Sequence, residues 1–178
     1  WMIDRTRSAG ASPWMALTPF SSEGAFNNQL IKVLVENQEL QDKLIGQILT
    51  TVQEKGYEGV DIDFEYILPE NREQYAQFAG RVREKMNEYG YKVTVAVAPK
   101  ISDRQRGILV EGVDYALLGQ NANAIFLMTY EWGYTYGPPM AVSPLDKVRE
   151  VVEYAVTQIQ PEQLILGIPN YGYACPLP

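Results

Sequence analysis

Gly59-Val60-Asp61-Ile62-Asp63-Phe64-Glu65-Tyr66 is the stretch on which the reading of this chain turns. Its three acids stand at every second position, separated by large apolar residues. Successive side chains of an extended strand point to opposite faces. Asp61, Asp63 and Glu65 therefore share one face, and Val60, Ile62, Phe64 and Tyr66 the other. At a rise of about 3.3 Å per residue, neighbouring acids on that face start roughly 6–7 Å apart. Proteins rarely bury one charge without a partner, and like charges on one face raise each other's pKa. A solvated edge strand accounts for acids on a wet side, but not for the Phe and Tyr among them. The stretch reads as an active-site strand.

Helical patterns flank it. From Asn37 to Lys55, Leu40, Leu44, Ile45, Ile48, Leu49 and Val52 recur at helical spacing, and Gly56 stops the helix. On the other side Pro69 begins a helix whose buried stripe is Tyr75, Phe78, Ala79, Val82, Met86 and Tyr89, ended by Gly90. Tyr91 to Pro99 follows as a strand, then a short helix from Asp114 to Gln120 and a strand from Ala124 to Tyr130. Ser143-Pro144 starts a helix, with Ser as N-cap and Pro at its first position. Its buried stripe is Leu145, Val148, Val151, Val152, Ala155 and Ile159, and Leu164 to Ile168 is the last strand. Toward the N-terminus, Ile3 to Ala9 reads as a helix end closed by Gly10, and Pro13 to Phe20 contains a buried strand. Ser21-Ser22-Glu23-Gly24 opens a loop.

Apolar strands alternating with amphipathic helices predict an α/β fold of parallel βαβ units, both sheet faces covered. A doubly wound open sheet is the alternative, but no strand leads into a Gly-rich phosphate loop. Several strands end instead in polar groups: Glu65, Lys100, Tyr130 with Glu131, and Asn170. Side chains converging from strand C-termini are the habit of a (β/α)8 TIM barrel. Eight strands usually need about 250 residues. The 178 residues here carry five. The expectation is one partial domain, residues 1–178, covering part of a barrel.

Composition removes whole classes of chemistry. The chain is 46% hydrophobic and 21% charged, with no run long enough to span a membrane. A net charge of −7 argues against nucleic acid or an anionic membrane as partner and suits a neutral, sugar-like substrate. With no histidine, Ser-His-Asp, Cys-His and His-ligated metal schemes fall away. The one cysteine, Cys175, has no internal disulfide partner. Acid–base work rests on Asp, Glu, Tyr or Lys. Trp1-Met2-Ile3-Asp4-Arg5 lacks the basic-then-apolar order of a signal peptide, and the chain does not begin with Met, so the start says little about location.

The acidic stretch, read as Glu58-Gly59-Val60-Asp61-Ile62-Asp63-Phe64-Glu65, resembles the DGxDxDxE motif of glycoside hydrolase family 18, the chitinase-like hydrolases. Glu58 replaces the leading Asp. Met128-Thr129-Tyr130-Glu131 resembles that family's Met-x-Tyr-Asp motif on the sixth barrel strand. Phe64 to Ile67, Met128 to Pro139 and Gly167 to Tyr173 together resemble the spore-cortex-lytic N-acetylglucosaminidases of spore-forming bacteria. The resemblance covers barrel strands three to seven. It departs at Ala174-Cys175, where those enzymes continue with Asp-Trp.

The resemblance implies retaining hydrolysis of β-linked N-acetylglucosamine in peptidoglycan, spore cortex or chitin-like glycans, with the substrate assisting, outside the usual two-carboxylate scheme. It assigns Glu65 as acid, Asp63 as the group that orients the acetamide, Asp61 as tuner and Tyr130 as donor to the acetyl oxygen. Met128, Glu131, Trp132 and Tyr66 become substrate-binding residues. Cofactor and metal are expected to be none; Mg²⁺ on the three acids is the alternative, but such sites usually draw acids from different strands. The expected place of action is a bacterial cell envelope or spore, or outside the cell. Two open barrel edges raise a second reading, a non-catalytic carbohydrate-binding or structural module that self-associates. Trp14 is expected in the core, and Trp132, Tyr134 and Tyr136 stack on sugars or pack a loop.

Overall fold

A computed structural model describes residues 1–20 and 27–174. The loop read at Ser21 to Gly24, and Cys175, lie outside the described residues. Five strands, β1 (Trp14–Leu17), β2 (Gly59–Ile62), β3 (Lys92–Val97), β4 (Ala124–Leu127) and β5 (Leu164–Leu166), form one sheet in sequence order, every neighbouring pair parallel. Helices α1 (Met2–Ser8), α2 (Asn28–Val35), α3 (Gln38–Lys55), α4 (Arg72–Glu88), α5 (Tyr115–Asn121) and α6 (Leu145–Gln158) precede or link them. This is the α/β architecture expected, a truncated (β/α)8 barrel whose sheet stays open. No helix among the described residues is long and apolar enough to cross a membrane.

The register sorts the two faces. Val60 pairs with Val93, Ile62 with Val95, and Val95 and Val97 with Ile125 and Leu127. All are at most 2% exposed and pack in one core with Ile48 and Val52 of α3, Phe78 and Val82 of α4, and Leu118 of α5. Burying each such side chain contributes about 1.5–3 kcal/mol. The opposite face carries smaller and polar residues: Ala16, Asp61, Thr94 and Ala124 lie side by side across four strands. That face is the barrel interior.

Helix ends follow their sequence signals. Asn27, Asn37 and Asp114 accept backbone N–H bonds as N-caps of α2, α3 and α5. Gly56 closes α3 with φ of 77°. α2 was not read from the sequence, although Asn27 followed by Ile31 and Val35 carries the signal of a short capped helix. Pro69 opens a single 3-10 turn, Pro69–Asn71, before α4.

Several expectations need correction. β2 ends at Ile62, four residues before the predicted end, because the chain leaves the ladder to build the site. β5 ends at Leu166, not Ile168. Pro144, not Ser143, is the N-cap of α6; the Ser143 hydroxyl donates to the Thr129 carbonyl at 2.6 Å instead. Leu145 and Tyr89 fall outside their predicted stripes, exposed at the first turn of α6 and just past the end of α4. Trp14 is not core: it is 38% exposed on edge strand β1, with its indole lying over Gly59.

Candidate active site

A cleft of about 400 Å³ opens beyond the C-terminal ends of β2, β3 and β4. Asp63 and Glu65 line it from the β2 side, Ala98, Pro99 and Leu109 from the segment after β3, and Met128, Tyr130, Glu131 and Trp132 from the segment after β4. Six of the eight residues read as catalytic or substrate-binding thus meet in one place. Asp61 stands one step deeper, half-buried on the same face, with Thr94 donating to its carboxylate from β3. Tyr66 is not brought into the cleft. It takes a left-handed φ of 59° and lines a separate hollow with Ile67, Leu68, Pro69, Ile108 and Glu111. Strand alternation already put Tyr66 on the face opposite the acids, and the left-handed backbone does not return it to the cleft that the resemblance assigned it to.

Past Ile62 the acids are held without a full ladder. The Asp63 N–H still donates to Leu17 O at 2.9 Å. Phe64, between the two cleft acids, turns the other way and stacks on Tyr75 and Phe78 of α4, with ring centroids 5.9 and 5.8 Å away. Aromatic packing behind the cleft therefore fixes the acids in front of it.

The cluster is electrostatically crowded. Burial raises the Asp61 carboxyl above the usual range, and the Thr94 hydrogen bond pulls it partly back. Asp63 is raised by burial and then by the charge of Asp61. Glu65 is raised by burial, then by Asp63 and Glu131. Burial and the surrounding acids, Asp63 foremost, hold the Tyr130 phenol protonated as a hydrogen-bond donor. A carboxyl whose proton is held by burial and by neighbouring acids is the arrangement general acid catalysis needs. The Oδ1 atom of Asp63 is buried and has no hydrogen-bond partner among the described residues. It is an unsatisfied acceptor on a residue that lines the cleft.

Glu131 sits at φ of 66°, which costs a residue with a Cβ about 1–2 kcal/mol. The hydroxyls of Tyr171 and Tyr173, beyond β5, both donate to its Oε1 at 3.0 Å. The wall formed after β3 is anchored by fully buried Lys100, whose Nζ donates to Val113 O at 2.7 Å and pairs with Asp103 at 3.2 Å. Arg72 of α4 pairs with Asp103 and, at 2.8 Å, with Asp114. Lys100 is therefore an anchor under the wall, not a cleft group. Tyr134 and Tyr136 pack edge to face at 6.5 Å in the loop beyond, outside the cleft lining. Thr94 and Leu109 were not singled out in the sequence, and Tyr171 and Tyr173 stood there only inside the Gly167 to Tyr173 stretch, with no role; Thr94 carried a signal as a hydroxyl residue among the valines of β3. Among the described residues no group of three or more acids, cysteines or histidines could hold a metal ion.

The family model for glycosyl hydrolases family 18 matches residues 23–177. The chain belongs to this family. Its relatives include the cortical fragment-lytic enzyme of Bacillus subtilis, 36% identical over 173 residues, a match covering 97% of this chain and 40% of that protein. The crystal structure of the Bacillus cereus spore cortex-lytic enzyme SleL superposes with a TM-score of 0.88 at 33% identity, over 94% of this chain and 38% of that one. A chitinase from Chromobacterium violaceum shares the fold, with a TM-score of 0.88 at 20% identity over 96% of this chain and 53% of that one. The chain spans about 40% of the length of the curated relatives it matches. Family 18 membership accords with the acidic strand and with Met128-Thr129-Tyr130-Glu131.

Proposed function

We propose that this chain carries the catalytic groups of a β-N-acetylglucosaminidase acting on peptidoglycan, spore cortex included, with chitin oligomers as surrogate substrates. The observation that carries the reading is the buried, partnerless Asp63 Oδ1 beside Glu65 and Tyr130. An acetamide supplies what this site lacks: an N–H for Asp63 and a carbonyl oxygen for the Tyr130 hydroxyl.

Glu65 gives its proton to the glycosidic oxygen as the C1–O bond breaks. The acetamide carbonyl oxygen bonds to C1 on the opposite face, and Asp63, accepting from the acetamide N–H, stabilises the positive oxazolinium that forms. Glu65, now a carboxylate, takes a proton from water as that water attacks C1 and reopens the ring. Two displacements at C1 leave the product with the configuration it began with. Asp61 holds the charge of the cluster in check from below. Glu131 and Trp132 bind the sugar at the mouth, and Met128 lines the floor. The relatives named for spore cortex support a bacterial spore or cell envelope as the place of action.

Incubating the full-length protein with cortex fragments tests this by the appearance of N-acetylglucosamine reducing ends. Glu65→Gln should abolish their release, and activity untouched by it would sink the assignment. Tight glycan binding without turnover in the full-length protein would favour a non-catalytic sugar-binding module instead.

A further inference from the structure

We propose that Thr129 is a positioning residue for Tyr130, the centre of a two-bond latch that sets where the tyrosine ring crosses the backbone of Gly167. The inference rests on the reading of Tyr130 as a donor to the substrate and names what holds that donor in place. β4 ends at Leu127, and the Met128 N–H still donates to Val97 O at 3.0 Å. From there the ladder is lost. The N–H groups of Thr129 and Tyr130 each donate two residues back, to Leu127 O and Met128 O, both at 2.9 Å. Glu131 then takes its left-handed conformation. The cleft groups Tyr130 and Glu131 therefore stand on backbone that strand pairing does not hold.

Thr129 supplies the missing constraint. It is 1% exposed, and its hydroxyl donates to Gly167 O at 2.9 Å, crossing from the end of β4 to the end of β5. Its carbonyl accepts from the Ser143 hydroxyl at 2.6 Å, which ties in the segment leading into α6. Gly167 is held through both of its flanking peptide groups, because its N–H donates to Leu127 O at 2.9 Å while its carbonyl accepts from Thr129. The Tyr130 ring lies on that doubly held glycine. A Cβ at Gly167 would stand 2.6 Å from Tyr130 Cε1, a distance real Cβ atoms do not show. Bare backbone is what lets the ring sit there, and the Thr129 hydroxyl fixes the position of that backbone. Misplacing a catalytic group by about 1 Å can cost about a hundredfold in rate.

A double-mutant cycle in the full-length protein on a β-linked N-acetylglucosaminide separates this from a merely structural role. Thr129→Val should lower kcat about ten- to a hundredfold with KM within about twofold. Thr129→Ser, which keeps the hydroxyl, should stay within about threefold of wild type. In the Tyr130→Phe background Thr129→Val should cost less than about twofold, since residues acting through one another are not additive. If Thr129→Val does not fold, Ser143→Ala loosens the outer bond and should show the same dependence on Tyr130 with a smaller loss. A full loss in the Tyr130→Phe background would overturn the latch while leaving the role of Tyr130 intact. Wild-type activity of Tyr130→Phe alone would instead overturn the role of Tyr130, and the latch with it.

Discussion

Thr94 on β3 donates its hydroxyl to the carboxylate of Asp61 on β2, its register partner in the parallel sheet. A buried carboxylate is tolerable in the barrel interior because this neighbour meets it. Thr94 is 6% exposed, the one polar side chain among the buried valines of β3.

Thr94→Val should therefore destabilise the protein in a pH-dependent way. Burial holds the folded Asp61 carboxyl above its usual range, so the native state binds more protons than the unfolded one. Stability then falls as pH rises through the ordinary Asp range and levels off above the raised value. Losing the Thr94 hydroxyl raises that value further. The variant should be about 1–3 kcal/mol less stable at neutral pH, with the deficit vanishing near pH 3, where Asp61 is protonated in both states. Urea unfolding across that range checks it; a deficit that does not change with pH would contradict it.

The charge of Asp63 helps hold the Glu65 proton. Neutralising it in Asp63→Asn removes a repulsion that favours the protonated acid. The alkaline limb of the kcat/KM profile should move to lower pH, and kcat should fall because the positive oxazolinium loses the negative charge that stabilises it; the Asn oxygen still accepts from the acetamide N–H. Glu131→Gln should move the limb the same way and less far, since its charge is the smaller contribution. A limb moving to higher pH would contradict both.

Gly59 is in the acidic motif for a packing reason. A Cβ there would stand 2.6 Å from the Trp14 ring. Gly59→Ala should displace the indole on β1 and destabilise by about 1–3 kcal/mol, measured by urea unfolding and by a change in tryptophan fluorescence.

Lys100 ties the wall of the cleft to the core. Lys100→Met keeps the length of the side chain but leaves Val113 O without its donor and Asp103 with one cation fewer. A loss of about 1–3 kcal/mol is expected. Amide exchange should speed up across residues 101–113 well before it does in β2 or β3. Uniform acceleration would mean that Lys100 supports the whole fold and not this wall.

The parts of the fold legible in the sequence were those with local causes. Alternating apolar strands, Asn37 ahead of α3 and Gly56 behind it carry their own structural reasons, and the structure follows them. The site was legible where a motif concentrates it, as at Asp63, Glu65 and Tyr130. What was not legible depends on backbone leaving its regular period. The left-handed turn at Tyr66 leaves that ring in a separate hollow, on the side strand alternation gave it and not at the substrate where the resemblance put it. Ser143 has the residue type of an N-cap, but a carbonyl distant in sequence, that of Thr129, competes for its hydroxyl. Trp14 is hydrophobic enough for a core, yet its strand lies at the edge of the sheet. Tyr171 and Tyr173 gained a role only when the fold brought them to Glu131.

In the proposed reaction the substrate's own acetamide, oriented by Asp63, displaces the leaving group that Glu65 protonates. Proton NMR of the anomeric signal during the first minutes of hydrolysis of a β-linked N-acetylglucosaminide by the full-length protein tests it most directly. The β-anomer should appear first and then mutarotate, and a substrate with a free amine in place of the acetamide should not turn over. An α-anomer as first product, or normal turnover of the free-amine substrate, would contradict it.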